Sequence, residues 1–97
     1  MNLLQPTPEL LEVAAHVVWF KEPQETLGDP IHLLAHAMRY GTAEDLLVLE
    51  KAGIGLDQYR EVLDHAPAGV FDPRSWNYWN LKCGRVVVPP LPVRKLG

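Results

Sequence analysis

Apolar residues recur every three or four positions through most of this chain, and a helix-start signal precedes several of the runs. Thr7-Pro8, Asp29-Pro30 and Asp72-Pro73 each place a capping side chain before a proline at the first helical position. Periodicity of this kind is typical of amphipathic helices. The pattern predicts five short helices: Pro8–Val18, Pro30–Tyr40, a third capped by Thr42 and ended by Gly53, a fourth between Gly55 and Pro67, and Pro73–Cys83.

Proline and glycine residues interrupt the helical pattern between and after these helices. Pro23 interrupts the first periodic stretch, so residues 21–27 are expected to form a connector, and Gly41 is expected to end the second helix in a left-handed conformation. After Gly84, residues 86–88 are three valines that would suit one short edge strand. Prolines at 89, 90 and 92 then favour an extended, polyproline-like chain.

The length of 97 residues is that of one domain with one modest core. Trp76 and Trp79 are three residues apart, so they share one face of the last helix, and at least one is expected in the core. The sequence therefore predicts an all-α fold: a compact bundle of about five short helices over residues 1–85, followed by an extended, proline-rich basic tail over residues 86–97.

The amino-acid composition favours a globular protein without a membrane-spanning segment. The apolar fraction of 47% is typical of a globular chain, and the longest apolar run, residues 13–20, is far below the ~20 residues of a membrane span. The first residues lack the basic start and cleavage site of a signal peptide. Cys83 is the one cysteine, so no intrachain disulfide is available. Together these features favour a cytoplasmic protein.

Charge is distributed unevenly along the chain. All twelve acidic residues lie at or before Asp72. Residues 1–73 also hold four Lys/Arg and carry a net charge of −8, whereas residues 74–97 hold five Lys/Arg and carry +5. A two-signed molecule of this size is suited to contact with another charged surface. The charge pattern therefore favours a binding protein over an enzyme.

Side chains with catalytic or metal-binding potential are sparse. His32 and His36 are four apart and share a helix face, a spacing that suits zinc, but no third ligand is evident. Cys83 is predicted at a helix carboxyl end, where the helix dipole disfavours a thiolate nucleophile. No serine-hydrolase, nucleotide-binding or dinucleotide-binding motif is present. We therefore expect a non-enzymatic protein without cofactor or bound metal, and metal binding through the two histidines is an alternative.

Nucleic-acid binding is a further alternative, and two segments raise it. Residues 42–65 have the form of a helix-turn-helix unit, but Asp57, Glu61 and Asp64 on its second helix would repel phosphates. The aromatic, basic segment that begins at Arg74 is better suited to stacking on single-stranded bases. An exposed Tyr78 beside basic groups would equally suit a protein interface.

Several short motifs carry a family resemblance across about two-thirds of the chain. They are Trp19-Phe20, Asp29-Pro30, Tyr40-Gly41-Thr42-x-Glu44-Asp45-Leu46, Tyr59-Arg60-Glu61-Val62-Leu63 and Phe71-Asp72-Pro73-Arg74-Ser75-Trp76-Asn77-Tyr78-Trp79. This pattern resembles a family of small prokaryotic helical domains that are commonly encoded beside AbiEii/AbiGii-type nucleotidyltransferase toxins. The resemblance implies a helical fold and an antitoxin-like partner of such a toxin. The motifs contain no catalytic residue, and the winged-helix DNA-binding domain of larger antitoxins is absent from this sequence, so the resemblance does not imply autoregulation.

The sequence therefore predicts a protein-interaction module, with another protein, a nucleotidyltransferase-type toxin, as the expected partner. Two sets of side chains are the candidate contacts. The basic, aromatic set is Arg74, Tyr78, Lys82, Arg85, Arg94 and Lys95, and the acidic set is centred on Glu44, Asp57 and Glu61.

Overall fold

A computed structural model describes residues 4–93 and contains six α-helices over that range. The all-α prediction is confirmed. Among the described residues no helix has the length and apolar character that a membrane crossing requires. The helices are α1 (Pro8–Val17), α2 (Pro23–Leu27), α3 (Pro30–Tyr40), α4 (Ala43–Lys51), α5 (Leu56–Asp64) and α6 (Pro73–Lys82).

The additional helix, α2, lies where the sequence predicted a connector, so that prediction is wrong. Pro23 does not interrupt a helix there but starts one, because a proline at the first helical position needs no hydrogen bond to its nitrogen. The Thr26 hydroxyl donates to the Glu22 carbonyl at 3.1 Å. Burial of Thr26 and Leu27 then stabilises a five-residue helix that is too short for sequence periodicity to reveal.

Helix α3 is the centre of the bundle and contacts each of the other five helices. Its sequence is apolar around most of its circumference, and Leu33, Leu34 and Ala35 are fully buried. A helix that is apolar over most of its surface must be covered over most of it. The other helices therefore pack around α3, and their polar faces point outward.

The helix boundaries follow from capping groups that the sequence predicted. Thr7 and Asp29 accept hydrogen bonds from the backbone N–H groups of Leu10 and His32. Thr42 forms a reciprocal capping box with Asp45 at the start of α4. These side chains satisfy N–H groups that have no partner inside the helix.

Glycine is required at position 41, between α3 and α4, for a different reason from the one predicted. Its φ of −69° is not left-handed, so the prediction of a left-handed terminator is wrong here. A Cβ atom at this position would lie 2.5 Å from the Ala37 carbonyl oxygen. Gly41 is required because the chain passes close to the last turn of α3, and the left-handed conformation occurs instead at Gly53 and Gly84.

Both tryptophans of α6 are buried, which confirms the predicted anchor role. The Trp79 indole N–H donates to the Met38 carbonyl oxygen at 2.8 Å. Met38 lies in the last turn of α3, where carbonyl groups lack partners within the helix, so the indole satisfies one of them. Trp79 also lies against the Tyr59 ring of α5, at 4.8 Å between ring centroids. One side chain thus connects three helices.

The described part of the tail, residues 86–93, contains neither helix nor strand. The predicted edge strand over residues 86–88 is wrong, because the described chain offers no neighbouring strand with which it could pair. The tail contacts the helices instead: the Trp76 indole N–H donates to the Pro89 carbonyl oxygen at 2.8 Å. Val88 and Leu91 pack against the core, whereas Val86 and Val87 are exposed.

Replacement of Trp79 should be far more damaging than replacement of an exposed neighbour on the same helix. Trp79→Ala is expected to lower the free energy of unfolding by about 3–5 kcal/mol, because it removes a large buried side chain. Trp79→Phe should cost about 1–3 kcal/mol, because it leaves the Met38 carbonyl without its partner. The matched control, Leu81→Ala, should stay within about 0.5 kcal/mol. Urea denaturation measures all three, and equal effects of Trp79→Ala and Leu81→Ala would contradict this role.

Candidate functional site: an apolar groove between α4 and α6

Within the described chain, α4 and α6 do not pack directly against one another. Both helices pack on α3, and a groove remains between them. The groove consists of two adjoining cavities, of about 570 and 350 Å³, which share Leu46 and Trp79. Its principal lining residues are Leu46, Leu47 and Glu50 of α4, Leu56 and Tyr59 of α5, and Arg74, Tyr78, Trp79 and Lys82 of α6.

The floor of this α4–α6 groove is apolar and fixed. Trp79 and Tyr59 are buried and in ring contact, and Ile54 beside them is 6% exposed. Burial raises the pKa of the Tyr59 phenol to about 12, with a smaller contribution from the nearby Glu50 carboxylate. The phenol is therefore neutral at physiological pH and acts as part of an apolar surface.

Two leucines at the rim leave the groove open to solvent. Leu47 is 49% exposed and Leu56 is 41% exposed, although both contribute to its lining. Single exposed leucines are ordinary on a protein surface, but two that flank one concave apolar site are typical of binding surfaces. The groove therefore has the composition of an interface core.

One wall of the groove is formed by Arg74, Tyr78 and Lys82, which follow one another at four-residue intervals along α6. This spacing places all three on the same helix face. Tyr78 is 55% exposed, as predicted, and the Lys82 ammonium lies 5.7 Å from its ring centroid. Three of the predicted contact residues thus meet on one surface.

The cations of this wall have no acidic partner within residues 4–93. The described ion pairs are His16–Asp45, Arg39–Asp72, Arg60–Asp57 and Arg85–Asp64, and neither Arg74 nor Lys82 takes part in one. An exposed cation at the edge of an apolar groove can pair with a carboxylate from another molecule at little desolvation cost. The wall therefore presents positive charge outward.

Arg85, in contrast, belongs to the structure of the domain. Its guanidinium donates to the Asp64 carboxylate, and it also contacts the Asn80 side chain and the Arg60 carbonyl at 3.5 Å. These contacts join the ends of α5 and α6. Arg85 therefore does not extend the row of cations on α6, and the predicted contacts Arg94 and Lys95 lie outside the described residues.

The acidic set is dispersed. Glu44 is exposed in the first turn of α4, whereas Asp57 is exposed at the start of α5 and binds Arg60. Glu61 is half-buried farther along α5. Glu44 and Asp57 each begin a helix, where a carboxylate is favoured by the helix dipole. The carboxylates that line the groove are instead Glu50 of α4 and Asp72, which caps α6.

Sequence reasoning missed the contribution of α4 to this groove. The signal was the pair Leu46-Leu47: adjacent residues on a helix point about 100° apart, so a narrow buried stripe does not accommodate both. In the structure Leu46 is half-buried in the groove and Leu47 stands at its rim.

The histidine pair lies away from the groove. The rings of His32 and His36 are 4.2 Å apart between centroids, and the Phe20 ring lies edge-on to both. Nδ1 of His36 donates to the His32 carbonyl oxygen at 2.9 Å, whereas Nδ1 of His32 is buried without a partner in the described chain. Burial lowers the pKa of His32, and the neighbouring His36 and Lys21 lower it further.

This arrangement accounts for the two histidines as packed side chains. Within residues 4–93, no group of three or more metal-ligating side chains converges. Trp19, Phe20 and Tyr40 form exposed ring contacts beside the histidines, and the Arg39 guanidinium lies 4.7 Å from the Tyr40 centroid. Metal binding by the pair stays the alternative that the sequence left open.

Cys83 caps the carboxyl end of α6 and is buried. Burial raises the pKa of its thiol, an effect that nearby Arg60 and Arg85 partly oppose. Its carbonyl oxygen accepts a hydrogen bond from Arg60 Nε at 2.9 Å. The residue contributes to the α5–α6 contact and is poorly suited to act as a nucleophile.

Comparisons with protein-family models, with curated proteins and with solved structures found no match to this chain. The family resemblance carried by the sequence motifs therefore stays a prediction. The groove has to be interpreted from its own chemistry.

The buried phenol of Tyr59 should make stability sensitive to alkali. Its folded-state pKa of about 12 exceeds the ordinary tyrosine value of about 10, so its contribution to stability is complete below pH 10 and is lost as pH rises toward 12. Between these values the wild type should lose up to about 2–3 kcal/mol that Tyr59→Phe retains. Urea denaturation at pH 9.5 and 11.5 compares the two chains. Identical losses of unfolding free energy would show that the phenol is not buried as described.

Proposed function

We propose that this protein is a non-enzymatic interaction module that binds another protein through the α4–α6 groove. The observation that carries the proposal is the combination of a fixed apolar floor, exposed leucines at the rim and, beside an exposed tyrosine, two cations without an acidic partner in residues 4–93. Interface cores are apolar, their rims are polar, and aromatic and arginine side chains are enriched among their energetically dominant residues. The groove contains each of these components.

The expected partner is a nucleotidyltransferase-type toxin, as the family resemblance implies. An antitoxin-like role requires stable association and no chemistry of its own. The groove suits that requirement, because it offers apolar area and complementary charge without a catalytic constellation within its lining. Specificity would come from the charged rim, and affinity from the apolar floor.

Nucleic-acid binding is the second candidate, supported by the Arg74–Tyr78–Lys82 row. The wider arrangement of charge favours a protein. Arg85 is held by Asp64, and Glu50 lines the groove opposite Lys82, where it would repel a phosphate. Arg74 and Lys82, which have no acidic partner among the described residues, would give weak, strongly salt-dependent binding to a strand, whereas they suffice to orient a protein partner.

Co-expression with the product of the adjacent gene tests the proposed function. The wild type should co-purify with that protein at moderate salt and micromolar concentration. Leu47→Asp places a charge at the rim of the groove and should weaken association at least tenfold, equivalent to about 1.4 kcal/mol. Leu81→Asp is the matched control, because this leucine is 60% exposed on α6 but does not line the groove.

Both variants alter exposed side chains, so both should fold like the wild type by circular dichroism. Failure of the wild type to associate with the adjacent gene product would contradict the predicted partner. Equal association of Leu47→Asp and Leu81→Asp would show that binding does not use the groove.

A further inference from the structure

We propose that the occupant of the α4–α6 groove is an amphipathic helix of the partner protein, with carboxylates about two turns apart along the edge that faces α6. The inference rests on the proposed function and specifies the chemistry of the segment that binds there. It follows from the spacing of two cations that have no acidic partner in the described chain, from the apolar side chains between the walls and from the absence of a strand edge in the described lining.

The spacing of the two cations on α6 sets the first requirement on the ligand helix. Arg74 and Lys82 are eight residues apart on one face of α6, which corresponds to about 12 Å along the helix axis at 1.5 Å per residue. A second helix lying along α6 matches that distance with carboxylates seven or eight residues apart. Neither cation is engaged by a carboxylate of the described chain, so both are available to such a ligand.

Apolar contacts set the second requirement. Tyr78 lies between the two cations, and Leu47 and Leu56 stand at the opposite rim. A ligand helix that satisfies all of them carries an apolar stripe next to its acidic edge. Leucine or aromatic residues at intervals of three and four positions would form that stripe and place it over Trp79 and Leu46.

Glu50 places a negative charge on the α4 side of the groove. It lines the same cavity as Lys82 but lies on α4. A second carboxylate, Asp72 at the cap of α6, lines the cavity of Arg74 but is paired with Arg39 at 3.4 Å. Within the described chain, the positive charges without an acidic partner therefore lie along α6, and the groove carboxylate without a basic partner is Glu50. A ligand helix with carboxylates on both edges would be repelled there. The favoured ligand is therefore acidic on one edge, with a neutral or basic residue on the other edge near Glu50.

The hydrogen-bonding groups of the ligand's backbone favour a helix over an extended segment as the occupant of the groove. Beyond the first turns of α4, α5 and α6, the amide groups of the walls are bonded within their helices, and no strand edge lines the groove in the described chain. An extended ligand would lose water from its N–H and C=O groups without gaining partners from the groove. A helix satisfies its own backbone groups and presents only side chains.

Two synthetic helices test this inference against the full-length chain. Both are lactam-stapled 18-residue peptides with the same leucine stripe. One carries two glutamates seven residues apart on one edge, and the other carries lysines at those two positions. Titration is followed by ¹⁵N NMR, with the indole N–H of Trp79 and the amides of α4 and α6 as reporters of the groove.

The glutamate peptide should shift the groove resonances and bind at least tenfold more tightly than the lysine peptide. The double variant Arg74→Glu/Lys82→Glu should reverse this preference, and both residues are exposed, so the fold should be retained. Equal binding of the two peptides, or a preference that survives the charge reversal, would overturn the inference. Tighter binding of a 12-nucleotide single-stranded DNA at the same resonances would also overturn it.

These outcomes are separate from those of the proposed function. If the adjacent gene product binds and Leu47→Asp weakens that complex, but the peptides show no preference, the groove binds a protein and the helical, acidic occupant is wrong. If Leu47→Asp leaves the complex intact while the peptides behave as expected, the choice of partner surface is wrong and the chemistry of the groove stands.

Discussion

The hydrogen bond from the Trp79 indole to the Met38 carbonyl is the interaction on which the rest of this structure depends. It fastens α6 to the carboxyl end of α3, the helix around which all the others pack. The same indole packs against Tyr59 and so fixes α5 relative to α6. A buried carbonyl left without this donor would cost more than the bond itself contributes, so the contact selects one arrangement of the three helices.

The groove follows from this arrangement. Because α6 is held by α3 and α5, it does not need to pack on α4, and the space between α4 and α6 is bounded by Trp79 below. The side chain that stabilises the fold is therefore also the floor of the candidate binding site. The position of this floor is set by the core and not by the surface, and a floor held in place in this way would lower the entropic cost of binding a ligand.

Much of the fold could be predicted from the sequence, because caps and prolines mark helix starts locally. Asp29-Pro30 and Thr42 gave the boundaries of α3 and α4. Helix α2 could not be predicted, because five residues are too few to show a period and its stability comes from burial of Leu27. Gly41 was assigned the wrong role, because close approach to the Ala37 carbonyl is a tertiary constraint and leaves no mark on composition.

The candidate site could be predicted only in part. Residues 74, 78 and 82 were among the predicted contacts and form one wall of the groove. The partner of Arg85 and the opposite wall on α4 could not be predicted, because both come from segments that are distant in sequence. The role of Trp79 is tested most directly by hydrogen exchange of the three indole N–H groups, followed by NMR. The Trp79 N–H should exchange only on global unfolding, and that of Trp19, which is 66% exposed, should exchange fastest. Exchange of the Trp79 N–H as fast as that of Trp19 would contradict the central role of the Trp79–Met38 hydrogen bond.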